Sequence, residues 1–230
     1  SLSFIHHKEE KFIMKLKKIA SLALAGIMAV SMLAGCKDGT TEDGGASSQP
    51  ETPVVSNAAE YANYMLSGPE KNIFTFSSNS DLDAKLKKVV EKVDLIGDTL
   101  IENAYKTNYV VGETAGSNIP QKVGPELDKE FSNKVFVTTG FNTVPSVSGD
   151  RIAIDTYAVS GKLSEEDAVK SIVKTWAGTS INTTTYPSSV SGYDCDYKAE
   201  ISAVNVASRQ HPDQSVWVVA IMVTQTSVQS

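Results

Sequence analysis

Residues 197–226 read YKAEISAVNVA, SRQHPDQ, SVWVVAIMVTQT, and this stretch decides the fold. Tyr197 to Ala207 and Ser215 to Thr226 are rich in Val, Ile, Ala and Thr, the composition of strands. Arg209 to Gln214 between them is polar and contains Pro212, which predicts an antiparallel hairpin. Val216 to Val223 is apolar at every position. Alternation would mark a strand with one wet face; an unbroken run predicts a central strand covered on both faces. The run is too short to span a bilayer, which takes about 20 apolar residues in a helix.

Upstream of the hairpin, Lys134 to Thr139 and Arg151 to Val159 read as strands, parted by a turn region around Pro145 and Ser148-Gly149-Asp150. Ser164 with Asp167 forms a capping box. The helix it opens buries Ala168, Val169, Ile172, Val173 and Trp176, and Gly178 suits its C-terminal stop. Trp176 and Trp217 are expected to join that helix to the sheet. Ile181 to Tyr186 reads as a short strand.

Nearer the N-terminus, Asn57 with Glu60 predicts a short helix over Ala58 to Leu66, stopped by Ser67-Gly68-Pro69. Ile73 to Phe76 reads as a brief strand. Ser80 with Asp83 opens the strongest helix, where Leu82, Leu86, Val89, Val93, Ile96, Leu100 and Ala104 recur at three- and four-residue steps through about residue 106. Gly97 marks a kink in it. Thr114 to Asp128, with Gly116, Pro120, Gly124 and Pro125, reads as loop. The predicted class is α+β: N-terminal helices, then a mostly antiparallel sheet with one inserted helix packed on it.

The first 57 residues have a different character. Residues 1–13 read as an upstream extension. Met14 then begins a signal peptide: Lys15, Lys17 and Lys18, an apolar run from Ile19 to Ala34, and Leu33-Ala34-Gly35-Cys36 at its end. That tetrapeptide resembles the lipobox of bacterial lipoproteins. The resemblance implies a diacylglycerol thioether on Cys36, cleavage before it, and a lipid-anchored location facing the extracytoplasmic side of the bacterial cell membrane. Residues 36–57 are the anchor and a Gly/Ser/Thr/Pro-rich acidic tether, a coil with an r.m.s. span of roughly 25 Å. Residues 58–230 form the single globular domain.

Charge sets the partners. The chain of 230 residues has a net charge of −6. Without residues 1–35, which hold five Lys and two acids, 16 basic and 25 acidic side chains remain, a net charge of −9. Such a chain has no general attraction to nucleic acid or anionic headgroups, so membrane attachment is expected through lipid on Cys36. With Cys36 lipidated, Cys195 is alone and no disulfide within the domain is possible.

Catalytic motifs are sparse. His211 and Cys195 are the one His and one non-lipidated Cys of the processed chain, too few for a zinc site, and no cofactor is predicted. Asn79, Asp81 and Asp83 have calcium-loop spacing, but Ala84 and Val90 stand where Gly and Glu are needed. If Tyr197 to Ala207 is one strand, Cys195 and His211 lie far beyond the roughly 3 Å of a catalytic pair. No nucleophile elbow, P-loop or dinucleotide fingerprint is present. Leu163 through Trp176 and the late apolar strand bear a slight likeness to the end of CAP-superfamily secreted domains, with Glu113 as the single acidic partner. That family's paired histidines have no counterpart, and the domain is assigned to no family.

Two groups of side chains are left as site candidates. Asp194 and Asp196 flank Cys195 and share one face of a strand, where they can bind a cation, act as acid and base, or guard a sheet edge. Tyr186, Tyr193 and Tyr197 occupy a Ser/Thr/Gly-rich stretch, where Tyr serves either as contact surface for glycan or peptide or as sheet packing. The expected function is a cell-envelope binding or interaction module with a glycan, peptide or protein partner. The alternatives are an envelope hydrolase using Asp194 and Asp196, and a subunit of an envelope complex.

Overall fold

The computed structural model describes residues 56–230 except 93, 108, 114–117 and 138–139. The predicted signal peptide, Cys36 and nearly all of the tether lie outside the described residues, and no described helix is long and apolar enough to cross a membrane.

The domain is α+β, and the hairpin is its centre. Strand β5 (Tyr193–Ala207) and β6 (Ser215–Gln229) pair antiparallel along their whole length, and β3 (Gly149–Ser160) pairs antiparallel with the other side of β6. Two short strands complete the sheet order β1-β5-β6-β3-β2: β1 (Phe76–Ser77), parallel to β5, and β2 (Val111–Gly112), antiparallel to β3. A further short strand, β4 (Ser189–Val190), pairs with the start of β5.

The continuous run in β6 has the predicted meaning. Val219, Ile221 and Val223 pack into one core; Val216, Val218, Ala220 and Met222 pack into a second on the opposite face. Helix α1 (Ala58–Met65) and α6 (Glu165–Ser180) cover the first face, together with Phe74, Phe76, Phe141 and Tyr186. The second lies under α3 (Ser80–Val90), α4 (Asp98–Lys106) and α5 (Ile119–Glu130). Both faces therefore carry helices. Trp176, 4% exposed, and the half-buried Trp217 meet in the first core, and the Trp217 indole donates to Leu163 O at 2.9 Å.

Several local expectations are corrected. The long helix is two: α3 ends at Val90, a turn follows, and Gly97 is the extended residue that starts α4. Asn79, not Ser80, caps α3, its side chain accepting from Asp81 N and Leu82 N. Asn57 makes no side-chain cap on α1; Ser56 Oγ accepts from Ala58 N at 3.1 Å instead. Ser67 and Glu70 form a capping box on the one-turn α2 (Gly68–Lys71), so the predicted stop is itself a helix start.

The stretch read as loop contains α5. Pro120 sits in its first turn, where no backbone donor is required, and Asn118 accepts from Gln121 N. Among its described residues, the strand predicted at Lys134 to Thr139 is a single bridge, Phe136 to Ile152. The strand predicted at Ile181 to Tyr186 is a turn, because the Asn182 carboxamide accepts from Thr184 N and Thr185 N, each at 2.9 Å. Helix α6 runs through Gly178 to Ser180.

Candidate functional site

Residues Ala153, Tyr157 and Val159 of β3 pack toward the core beneath α1 and α6. Strand alternation puts Asp155 on that same face, an acid among inward-facing positions. The Trp176 indole on α6 donates to Asp155 Oδ2 at 3.0 Å. The residue is exposed, with protein packed along one side of the carboxyl. That partial desolvation raises its pKa, against the opposing pull of the indole hydrogen bond.

The edge of β3 beside Asp155 is where β2 stops. Gly112 is paired with Tyr157, and the next residue, Glu113, bends inward. Its Oε1 accepts from Thr156 N at 2.9 Å and Thr156 Oγ1 at 2.7 Å, so a carboxylate stands where a further β2 carbonyl would. Gly124 of α5 makes the room: a Cβ there would lie 2.5 Å from Glu113 Oε1. One turn along α5, the Asp128 carboxyl is pushed up to about 6, first by desolvation and then by the charges of Glu113 and Asp155. Asp128 and Glu113 lie on the α5 side of the sheet and Asp155 on the α6 side, and the charges of Glu113 and Asp155 both reach Asp128. No described Lys or Arg forms a salt bridge with any of them.

Aromatic rings wall this site. Tyr157 lies against Gly112, where a Cβ would meet its ring at 3.1 Å. Burial, Asp155 and Glu113 push its phenol pKa upward. Tyr186 is 6% exposed and fixed by ring contacts to Phe74 at 5.2 Å, Phe141 at 5.5 Å and Tyr197 at 5.2 Å. Its phenol is likewise pushed up, by burial and then by Asp155, Tyr197 and Tyr157. Among the described residues nothing hydrogen-bonds the Tyr186 hydroxyl, and it is not one of the sealed-off polar atoms.

Tyr197 is engaged differently. Its hydroxyl donates to Pro187 O at 2.9 Å and accepts from Gln225 Nε2 at 2.7 Å. Burial raises it to about 12. Gln225 and Arg151 continue this network to Phe141 O and Thr143, pinning the loop before β3 to the sheet. Tyr197 therefore supports Tyr186 from behind.

The other sequence candidates lie elsewhere. Tyr193 is half-buried at the start of β5, paired with Val190 and Gln229. Asp194 and Asp196 are exposed, opposite Val228 and Thr226, on the sheet face away from Asp155. Thr226 Oγ1 donates to Asp150 there at 2.7 Å, so those acids line an open surface. Cys195 is 5% exposed with its thiol pKa raised by burial, and exposed His211 lies beyond the opposite end of β5. The two do not form a dyad.

A shallow groove between Val90, Ile96, Ile101 and Val206 carries Asp98 and Arg209 on its rim. Asp98 is already committed there, accepting from Ser208 Oγ and Arg209 N, which lowers its pKa. Among the described residues no group of three His, Cys, Asp or Glu side chains is placed to hold a metal ion.

Sequence reading reached Tyr186 and Tyr197 but not Asp128, Asp155 or Tyr157, and it took Trp176 only as core. One signal was available: within the predicted strand Arg151 to Val159, Asp155 falls in register with Ala153, Tyr157 and Val159. No family model, curated protein or solved structure matches the chain.

Proposed function

We propose that this chain is a cell-envelope lipoprotein, held by lipid on Cys36, whose domain is a binding module with its ligand site at Asp155. One observation carries the reading. An exposed carboxyl on the α6 face of the sheet is held by the Trp176 indole at 3.0 Å, and its charge reaches the phenol of Tyr186, a residue 6% exposed. Lys15 to Cys36 supports the location, and the exposed setting of Asp194 and Asp196 favours a module over acid-base chemistry at those residues.

A second reading has one observation in its favour. Asp128, raised to about 6 beside Glu113 and Asp155, resembles the paired carboxyls of hydrolases, which would make the site an envelope hydrolase using these acids. Turnover lost in Asp128→Asn would select the enzyme, and binding without turnover would select the module.

Two measurements test the main reading. Cys36→Ser is expected to abolish lipid labelling and release the protein from membranes; a variant still lipid-labelled and membrane-bound contradicts the anchor. In a ¹H–¹⁵N titration of the full chain with a panel of amines, saccharides and short peptides, ligands of this site should move the Trp176 indole resonance and leave Trp217 in place. If every binder moves resonances only around Asp194 and Asp196, the site assignment is wrong.

A further inference from the structure

We propose that the free edge of β5 is a self-association surface, on which a second copy of this chain pairs antiparallel about a two-fold axis at Asn205. The inference does not depend on the Asp155 site.

The first argument is backbone direction. In an antiparallel strand the N–H and C=O of one residue point to the same side, and the side alternates along the chain. Ser208 N donates to Gln214 O across the hairpin, so the even-numbered residues of β5 face β6. Cys195 N donates to Ser188 O and Ala199 O accepts from Ser77 Oγ, so the odd-numbered residues face outward. That outer side is covered by β4 at Tyr193 and Asp194 and by β1 at Ala199 and Glu200. Beyond β1 no described strand pairs with it. Among the described residues the outward N–H and C=O groups of Ala203, Asn205 and Ala207 have no hydrogen-bond partner. Ala203 is half-buried and Asn205 and Ala207 are exposed, so this edge is open.

The second argument is the absence of a guard. Edge strands ordinarily carry a charge, a Pro or a bulge that keeps other strands away. Asp194 and Asp196 do this at the start of β5. Ser202 to Ser208 reads SAVNVAS, without a charged residue, Pro or Gly, and its register with β6 runs unbroken to Ala207.

The third argument identifies the occupant. SAVNVAS reads the same in both directions. Antiparallel pairing about Asn205 sets Ala203 against Ala207, Val204 against Val206 and Asn205 against Asn205 of the second copy. The outward residues fall in the positions that exchange hydrogen bonds, and the valines fall in the closer positions between them. Val204 and Val206 are half-buried in the single domain, and each pairing sets two β-branched side chains together. The Asn205 amide offers both a donor and an acceptor to its own kind. A contact in which the same residues serve both sides is what a two-fold dimer requires. An unrelated strand could use the backbone groups but gains nothing from the palindrome.

The test uses the full chain in detergent with Cys36→Ser in every variant, so that lipid contributes nothing and the buried Cys195 is the remaining native thiol. Sedimentation should show a concentration-dependent monomer–dimer equilibrium. Asn205→Lys, at an exposed position, sets two ammonium groups face to face and should raise the dissociation constant tenfold or more with unchanged melting. Cysteines then read the register. Asn205→Cys should give a disulfide-linked dimer on mild oxidation, because opposed Cα atoms there stand about 5.5 Å apart, within disulfide reach. Ala203→Cys alone should not, since the two copies of residue 203 lie about 13 Å apart along the strands. Ala203→Cys combined with Ala207→Cys should link again. If Asn205→Lys melts early, the cysteine register carries the comparison. A monomer at every concentration, with Asn205→Cys unlinked, overturns the proposal. A dimer indifferent to Asn205→Lys, or cross-links that ignore the register, places the contact elsewhere and also overturns it. A monomer whose edge takes up an unrelated extended peptide overturns the second copy as occupant.

Discussion

The indole nitrogen of Trp176 lies 3.0 Å from Asp155 Oδ2, joining the last turns of α6 to the middle of β3. The contact fixes the ring and the carboxyl together. It makes one side chain both a core residue and the holder of a solvent-reached acid.

Trp176→Phe keeps an aromatic ring but removes the donor. A hydrogen bond to a charged group contributes about 1.5–3 kcal/mol, and water can partly replace it at this accessible carboxyl. The expected loss is about 1–2 kcal/mol in chemical denaturation. In the Asp155→Asn background the same substitution should cost less, and a double-mutant cycle measures the coupling. Equal costs in the two backgrounds would mean that the bond contributes nothing.

Gly124→Ala should destabilise the domain although it raises helix propensity. Exchanging Gly for Ala in a helix is favourable by about 1 kcal/mol. The new Cβ would stand 2.5 Å from Glu113 Oε1 and expel the carboxylate from Thr156, which is 1% exposed. Leaving that backbone N–H unpaired costs about 1–3 kcal/mol. The Glu113 term is predicted to win by about 1 kcal/mol, read as a lower denaturation midpoint. Glu113→Ala should lower it further.

The pH dependence of stability has a definite sign at Asp128. Its folded-state pKa of about 6 lies above the ordinary value of 3.8. Below the ordinary value the group is protonated in both states and does not oppose folding. As pH rises through about 6 the folded state must ionise it beside Glu113 and Asp155, and stability is lost. Asp128→Asn removes this loss. The variant's melting temperature minus that of the parent should grow more positive between pH 4 and pH 7. A difference that stays flat would place Asp128 outside the cluster.

Trp217→Ala tests the sheet's other aromatic anchor. Full truncation of a buried Trp costs about 3–5 kcal/mol, and Trp217 is half-buried, so about 2–3 kcal/mol is expected. At roughly 2–4 °C per kcal/mol for a domain of this size, melting should fall by about 5–10 °C. Unchanged melting would remove Trp217 from the core.

The central architecture was legible because it is written in long periodic runs. Val216 to Val223 announced a strand covered on both faces, and Ser164 with Asp167 announced α6, whose cap forms as read. Failures came where one local signal has two physical meanings. Pro120 and Pro125 read as loop residues, although Pro is at home in a first turn and α5 accommodates the second. Gly97 read as a kink but divides two helices. Within the site, Tyr186 was found by composition. Asp128 and Asp155 were not, because their meaning depends on β2 stopping after Gly112, which lets Glu113 turn in and bring three distant segments together. No spacing in the sequence encodes that meeting.

The most direct test of the account compares acids on the two faces of the sheet. Asp155→Asn removes one acid from one face of the sheet, and the double variant Asp194→Asn with Asp196→Asn removes two from the opposite face. Any ligand that saturates the parent protein in calorimetry should be measured against both. The account predicts that Asp155→Asn weakens binding about tenfold or more while the double variant binds as the parent does. Full affinity in Asp155→Asn, with loss in the double variant, would contradict it and move the site to the open face of β5.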